Sequence, residues 1–328
     1  MPPLAALALP SLSPELLSFF ATHGIVSVED FLIRDIYQLP GLRAADSDKL
    51  RKAVTEVLAF LENGHASWRN GWDLFNNLEH NIRFLPTGYD SLDSLLQGGL
   101  REGTVTELVG ASSCGKTQLC MQVSAHVAVR FGAMVAYIDT SNSFSSERLE
   151  QMLNDLLNSQ REVEKTGAFM QALKNIVCYR AFDVYSMLIL LQKLNTSIEN
   201  HSQKTHSGRL RLIVVDSVSS VISPILGGNI SQGHTLMMSI GQILKKLAVD
   251  NSIAVLTTNH TVTGESGNFK PALGESWKSV PHVRLLLRRE IADGIYVASL
   301  TKHSSQACTK EAAFSIGRSG LQANVNHE

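Results

Sequence analysis

Eight consecutive residues, Gly110-Ala111-Ser112-Ser113-Cys114-Gly115-Lys116-Thr117, constrain this chain more than any other feature. They read G-x-x-x-x-G-K-T, the phosphate-loop pattern. Its glycines let the backbone curl until its N–H groups converge on a polyphosphate. Lys116 is placed to reach β and γ phosphates, and the Thr117 hydroxyl to hold Mg²⁺. The pattern requires a strand before it and a helix after it, with the helix N-terminus facing the anion. Residues 104–109 (TVTELV) alternate polar and apolar like a strand, and Gln118 to Val129 can run as a helix. All eight residues are therefore candidate nucleotide-binding residues.

Two later stretches fit the same site. Leu212-Ile213-Val214-Val215-Asp216 is an apolar strand ending in an acid, the Walker B position, where Asp216 would hold Mg²⁺ together with Thr117. Residues 255–260 (VLTTNH) form another strand with polar groups at its C-terminal end, where ligands bind in open α/β sheets. Asn259 or His260 could there sense a γ-phosphate; capping of the strand end is the plainer reading.

Strand and helix patterns alternate from residue 86 onward. Strands are expected at 105–109, 134–138, 176–179, 212–215, 253–257, 283–287 and 296–300, and helices near 116–130, 145–158, 183–200 and 235–249. Several strands are continuous apolar runs, as in a mainly parallel sheet covered on both faces. Residues 201–209 read as a polar loop. Residues 1–65 read as a small all-helical domain: Ser13-Pro14-Glu15 and Ser27-Val28-Glu29-Asp30 are helix starts, and the apolar positions from Leu50 to Leu61 keep a helical period. This domain holds eight acids and five bases, which makes it a packing or partner module rather than a stand-alone DNA binder. Residues 66–85, with Trp68, Trp72 and Phe75, read as a linker. Its aromatics either anchor a neighbouring subunit or fold back on their own core. The core then spans 86–320 and a short tail 321–328.

The bulk numbers narrow the class. The net charge of −1 supplies no global field for nucleic acid, so any DNA contact must rest on local loops. Four cysteines without C-x-x-C spacing suit reduced thiols, although Cys114 inside the phosphate loop could be oxidised. No apolar run approaches a membrane span, and no basic residue precedes Arg34, so the start does not read as a signal peptide.

The motifs, taken in order, resemble the RecA/Rad recombinase family. The resemblance rests on residues 95–100 (LLQGGL), the loop ending Gly115-Lys116-Thr117-Gln118, residues 137–140 (YIDT), Phe144 with Glu147-Arg148-Leu149, Asp216-Ser217, and Thr258-Asn259-His260. Residues 224–228 (PILGG) and 270–277 (KPALGESW) are similar to the D-type paralogue branch, whose members are repair accessory proteins. The resemblance implies a RecA-like phosphate-loop ATPase core, ATP and Mg²⁺ as cofactors, and a nuclear role in homologous recombination repair of DNA double-strand breaks. It implies other recombinase paralogues and single-stranded or branched DNA as partners, and no membrane. It places Arg148 against the adenine, and DNA-contacting loops at 223–233 and 261–281, where Lys270 and Lys278 are the cations and Phe269 and Trp277 the stacking platforms. The same loops could instead serve subunit contacts.

Three departures from the family pattern shape the expected activity. Ser141 stands where strand-exchange recombinases carry a water-activating glutamate, and a serine cannot take up a proton as a carboxylate does. Slow, DNA-dependent ATP hydrolysis is therefore expected. Residues 66–85 lack the Phe-x-x-Ala peptide by which filament formers dock, which favours a hetero-oligomer over self-polymerisation. Lys302 lies in the segment that caps a neighbour's nucleotide, where it either supplies in-trans charge to the phosphates or is a solvated lysine. The alternatives are a self-polymerising strand-exchange recombinase and a scaffold with a structural nucleotide.

Overall fold

The computed structural model describes residues 3–7, 9–41, 47–64, 72, 83–158, 162–201, 208–227, 230–263, 269–290 and 294–322. It divides into two compact units, 1–81 and 82–328. Trp68, Phe75, most of the 201–209 loop and residues 323–328 lie outside the described residues. Trp72 is described, and its side chain is exposed.

The first unit is helical because its caps and apolar spacing leave little else. Ser13 accepts from the Leu16 N–H at the start of α1 (Pro14–Thr22), with Pro14 at the position where a missing N–H costs nothing. Ser27 and Asp30 form a reciprocal capping box on α2 (Val28–Ile33). The long α3 (Ser47–Gly64) buries Leu50, Ala53 and Val57, one stripe at helical spacing. Phe20 and Phe31 meet edge-on in this core, with ring centroids 5.4 Å apart.

The second unit opens on a small antiparallel pair, β1 (Phe84–Leu85) and β2 (Leu100–Arg101), joined through α4 (Asp90–Leu95). Thus β1 lies inside the stretch that reads as linker in the sequence. Gly99 precedes β2 at φ +111°, and a Cβ there would sit 2.3 Å from the Leu85 carbonyl oxygen. Backbone cannot yield as a side chain can. Gly99→Ala is expected to lower stability by about 2 kcal/mol or more, from left-handed strain plus this overlap; urea unfolding checks it, and a change under ~0.5 kcal/mol contradicts it.

The main sheet runs β12-β11-β10-β9-β3-β7-β6-β4-β5. The six strands from β5 to β9 along this path are parallel: β5 (Ile176–Arg180), β4 (Met134–Asp139), β6 (Leu210–Asp216), β7 (Ala254–Thr263), β3 (Val105–Gly110) and β9 (Val283–Glu290). An antiparallel extension follows: β10 (Ile295–Lys302), β11 (Glu311–Gly317) and β12 (Gly320–Gln322). β8 (Phe269–Pro271) folds back on the end of β7. Helices α5 (Lys116–Phe131), α6 (Ser146–Leu156) and α7 (Glu162–Asn175) cover one face. Helices α8 (Val184–His201), α9 (Val218–Leu226), α10 (Ile230–Asn251) and α11 (Gly274–Trp277) cover the other. Two cores on one sheet explain why β6 and β7 read as near-continuous apolar runs.

The structure shortens the first loop expected to face DNA. Helix α9 runs to Leu226 and α10 starts at Ile230, so most of 223–233 is helical. Most described residues of the second loop form the β7–β8 hairpin and α11.

Candidate nucleotide site

Phosphate-loop geometry follows from three backbone choices. β3 is buried at every residue and delivers the chain to Gly110. Ser113 (φ +61°) and Gly115 (φ +91°) then turn it in the left-handed region, and α5 begins at Lys116. A Cβ on Gly110 would lie 2.5 Å from the Leu287 carbonyl oxygen, and one on Gly115 2.9 Å from Ile316 Cδ1. Gly110 thus lets the loop lie close against parallel β9, and Gly115 against antiparallel β11.

Lys116 is nearly buried and curls beneath the loop. Its Nζ donates to the carbonyls of Gly110 (2.8 Å) and Ala111 (2.7 Å) and lies 3.6 Å from Cys114 Sγ. The charge is therefore held inside the curl where a polyphosphate would need it. Burial pushes the Cys114 thiol above its ordinary pKa, which suits the reduced reading.

Asp216 is the centre of the metal-competent pair. Thr117 Oγ1 donates to Asp216 Oδ2 at 2.7 Å, bridging ninety-nine residues of sequence. Tyr137 OH donates to the same oxygen at 3.0 Å, and Thr258 Oγ1 to Oδ1 at 2.6 Å. Hydroxyl and carboxylate are hard oxygen donors, the chemistry Mg²⁺ takes. The residues therefore fit a magnesium nucleotide. Tyr137 and Thr258 had no assigned role in the sequence. Their only signal was a hydroxyl at the C-terminal end of an otherwise apolar strand.

His260 lies opposite Gly110 in the β3–β7 register. Its N–H donates to Ser219 Oγ at 3.0 Å, while burial and the Lys116 charge hold its imidazole below the ordinary pKa. A neutral ring beside the loop can donate to a phosphate oxygen without adding charge. Asn259 turns elsewhere, onto Glu107.

Arg148 bridges two elements at the rim. It donates to Gln118 Oε1 (2.7 Å), Gln151 Oε1 (3.0 Å) and the Gly317 carbonyl (2.6 Å), and also to the Arg318 carbonyl. This ties α6 and α5 to the β11–β12 turn. Lys302 is remote from its own phosphate loop in the sheet register: it pairs with Arg284, which lies opposite Glu107. Its Nζ donates to the carbonyls of Lys278 (2.7 Å) and Pro281 (2.6 Å).

Two carboxylates near the loop are already committed. Asp139 accepts from the N–H groups of Ser141, Ser143 and Phe144, each at 3.1 Å. Glu107, wholly buried, accepts from Arg284, Asn259 and Trp277. Ser141, exposed, donates to Ser143 Oγ at 3.1 Å. Trp277 is not a stacking platform: its indole is buried and its N–H donates to Glu107 Oε1 at 2.7 Å. The Phe269 side chain lies outside the described residues.

A parallel-centred sheet with a phosphate loop after β3 and an acid at the end of β6 defines a RecA-like phosphate-loop protein. The family model described as Rad51 matches residues 79–324, and the chain belongs to that family. Membership implies a nucleotide, typically with Mg²⁺. The chain is 40% identical over 279 residues to the DNA repair protein RAD51 homolog 4 of Bos taurus, covering 85% of this chain and 82% of the relative. It is 36% identical over 319 residues to the protein of the same description from Mus musculus, covering 95% and 94%. A DNA repair protein RAD51 homolog 2 of Mus musculus is 29% identical over 274 residues, covering 78% of this chain and 73% of the relative. No helix among the described residues is long and apolar enough to cross a membrane.

Proposed function

We propose that this chain is an ATP-binding accessory subunit of homologous recombination repair, working in the nucleus within a hetero-complex of recombinase paralogues on single-stranded or branched DNA. Residues 110–117 would hold ATP, Thr117 and Asp216 would hold Mg²⁺, and Arg148 would wall the base. His260 senses the γ-phosphate, and the segments following β6 and β7 change partner contacts with nucleotide state. The helical 1–65 unit and the 66–85 stretch serve partner docking. The names of the relatives support the repair role.

One observation carries the reading. The Thr117–Asp216 pair and the curled Lys116 form a phosphate and metal receptor, while the nearby carboxylates Asp139 and Glu107 are saturated by hydrogen bonds. Binding machinery stands complete beside a serine that cannot prime water. Slow hydrolysis follows.

The test is single-turnover ATP hydrolysis by the full chain with its co-purifying partners, with and without single-stranded DNA. Ser141→Glu is expected to raise turnover about tenfold or more, less than the roughly 10²–10⁴-fold of a fully positioned general base. Fast hydrolysis by the wild-type protein, or no gain in the variant with ATP affinity retained, counts against it.

A further inference from the structure

One turn of the ATPase unit, residues 278–282, is stapled by cations. Lys245 on α10 donates to the Ser279 carbonyl at 2.7 Å. Lys302 at the end of β10 donates to the carbonyls of Lys278 and Pro281. His282 Nδ1 accepts from the Val105 N–H at 2.9 Å, which fixes the neutral ring at the start of β3. Arg101, at the end of β2, stands within electrostatic reach of both His282 and His303. Burial, then the charges of Lys245, Lys302 and Arg101, hold His282 below its ordinary pKa, and burial, then those of Arg284 and Lys245, hold Lys302 below its own.

Neutralisation is scarce here. Glu107 is buried against Arg284, and Glu275 makes only an exposed contact with Lys278 at 3.4 Å. Among the described residues, Arg101, Lys245 and Lys302 take part in no ion pair. The placement of Lys245 and Lys302 is nevertheless rigid. An ammonium carries three donors, so Lys302 keeps one and Lys245 keeps two beyond the staples. The two ammonium groups are pinned to three different carbonyls along one turn. A cluster of unneutralised cations at a surface suits the repeated charges of a phosphate backbone.

We propose that Arg101, Lys245 and Lys302 form a track for the phosphate backbone of single-stranded nucleic acid, at the pole of the sheet where β3 begins. The proposal rests on the DNA-associated reading above and adds a surface outside residues 223–233 and 261–281. The phosphate loop lies at the other end of β3, so nucleotide and nucleic acid would occupy opposite poles of one strand.

The experiment is fluorescence anisotropy of a labelled oligothymidylate with the full chain across a range of salt. Among the described residues the Arg101 side chain makes no hydrogen bond that a substitution would break, so Arg101→Glu tests charge. It is expected to weaken binding about tenfold or more at low salt. The double variant Arg101→Gln/Lys245→Gln keeps an amide donor for the Ser279 carbonyl. It should flatten the slope of log affinity against log salt by about 1.4, roughly 0.7 for each lost single-strand phosphate contact. Should that double variant unfold, Arg101→Gln alone should still flatten it by about 0.7. Unchanged affinity and slope in folded Arg101→Glu protein overturn the track while leaving the accessory-subunit reading intact. No binding by the wild-type chain overturns the track and direct DNA contact together, with ATP uptake judged separately. Displacement of the oligonucleotide by polyglutamate of equal charge, at equal affinity, assigns the patch to an acidic protein and overturns the nucleic-acid assignment.

Discussion

Lys116→Ala is expected to weaken Mg²⁺–ATP binding at least about 100-fold, close to loss of measurable uptake, with the fold retained. The lysine is the one cation seated inside the phosphate loop, and its ammonium is held there by the carbonyls of Gly110 and Ala111. Charged hydrogen bonds contribute about 1.5–3 kcal/mol each, and a hundredfold loss corresponds to about 2.7 kcal/mol. Stability should fall by about 1–3 kcal/mol, because the buried Gly110 carbonyl loses its partner. Lys116→Arg should fail nearly as badly. The side chain it replaces is 6% exposed, and the curl that holds a compact ammonium has no room for a planar fork. Calorimetric titration of the folded variants decides it. Wild-type affinity in Lys116→Ala protein would mean that the curl is a structural turn, and the nucleotide reading would fall with it.

What the sequence disclosed of this site, and what it hid, have physical reasons. Lys116, Thr117 and Asp216 were legible because each belongs to a local string with a backbone signature: a glycine-rich curl, or an apolar strand ending in an acid. Tyr137, Thr258 and Glu107 were not, since their roles depend on which strands become neighbours. The register that sets Asp139 beside Asp216, and Gly110 beside His260, cannot be read from any one segment. Parallel strands were legible as apolar runs. Helix α9 was missed because Pro224 and the following glycines look like loop chemistry, yet Ser217 caps the helix and Pro224 falls near its end. The antiparallel β11 and β12 were missed because only half their residues face a core, and the alternation is short. Trp277 was misread for a related cause. An aromatic in a polar stretch looks exposed until the buried carboxylate that holds its N–H is found.

That carboxylate carries the largest stability effect expected of any single change. Glu107 has no exposed surface, and its two oxygens take three partners: Trp277 Nε1 at 2.7 Å and Asn259 Nδ2 at 2.9 Å on one, Arg284 Nε on the other. Glu107→Ala would strand a guanidinium that is itself 8% exposed, together with an indole and an amide donor. Breaking a buried pair from one side costs about 3–5 kcal/mol, and each orphaned donor adds to it. A loss of that size consumes much of the 5–15 kcal/mol typical of a domain, so Glu107→Ala should lie near the threshold of folding. Glu107→Gln should also cost several kcal/mol, since its amide would set a donor against Arg284 Nε while still accepting from Trp277 and Asn259. The apolar pair Glu107→Leu/Arg284→Met removes both charges and should recover most of the loss. Urea unfolding followed by far-ultraviolet circular dichroism orders the variants: Ala lowest, Gln next, the double variant above both. Were Glu107→Ala within ~1 kcal/mol of wild type, the pair would not be holding β3 against β9. A double variant no more stable than Glu107→Ala would instead place the cost in the indole and Asn259 contacts. Those two contacts join α11 and the end of β7 to the strand that feeds the phosphate loop, so the same carboxylate that stabilises the sheet also sets where His260 stands.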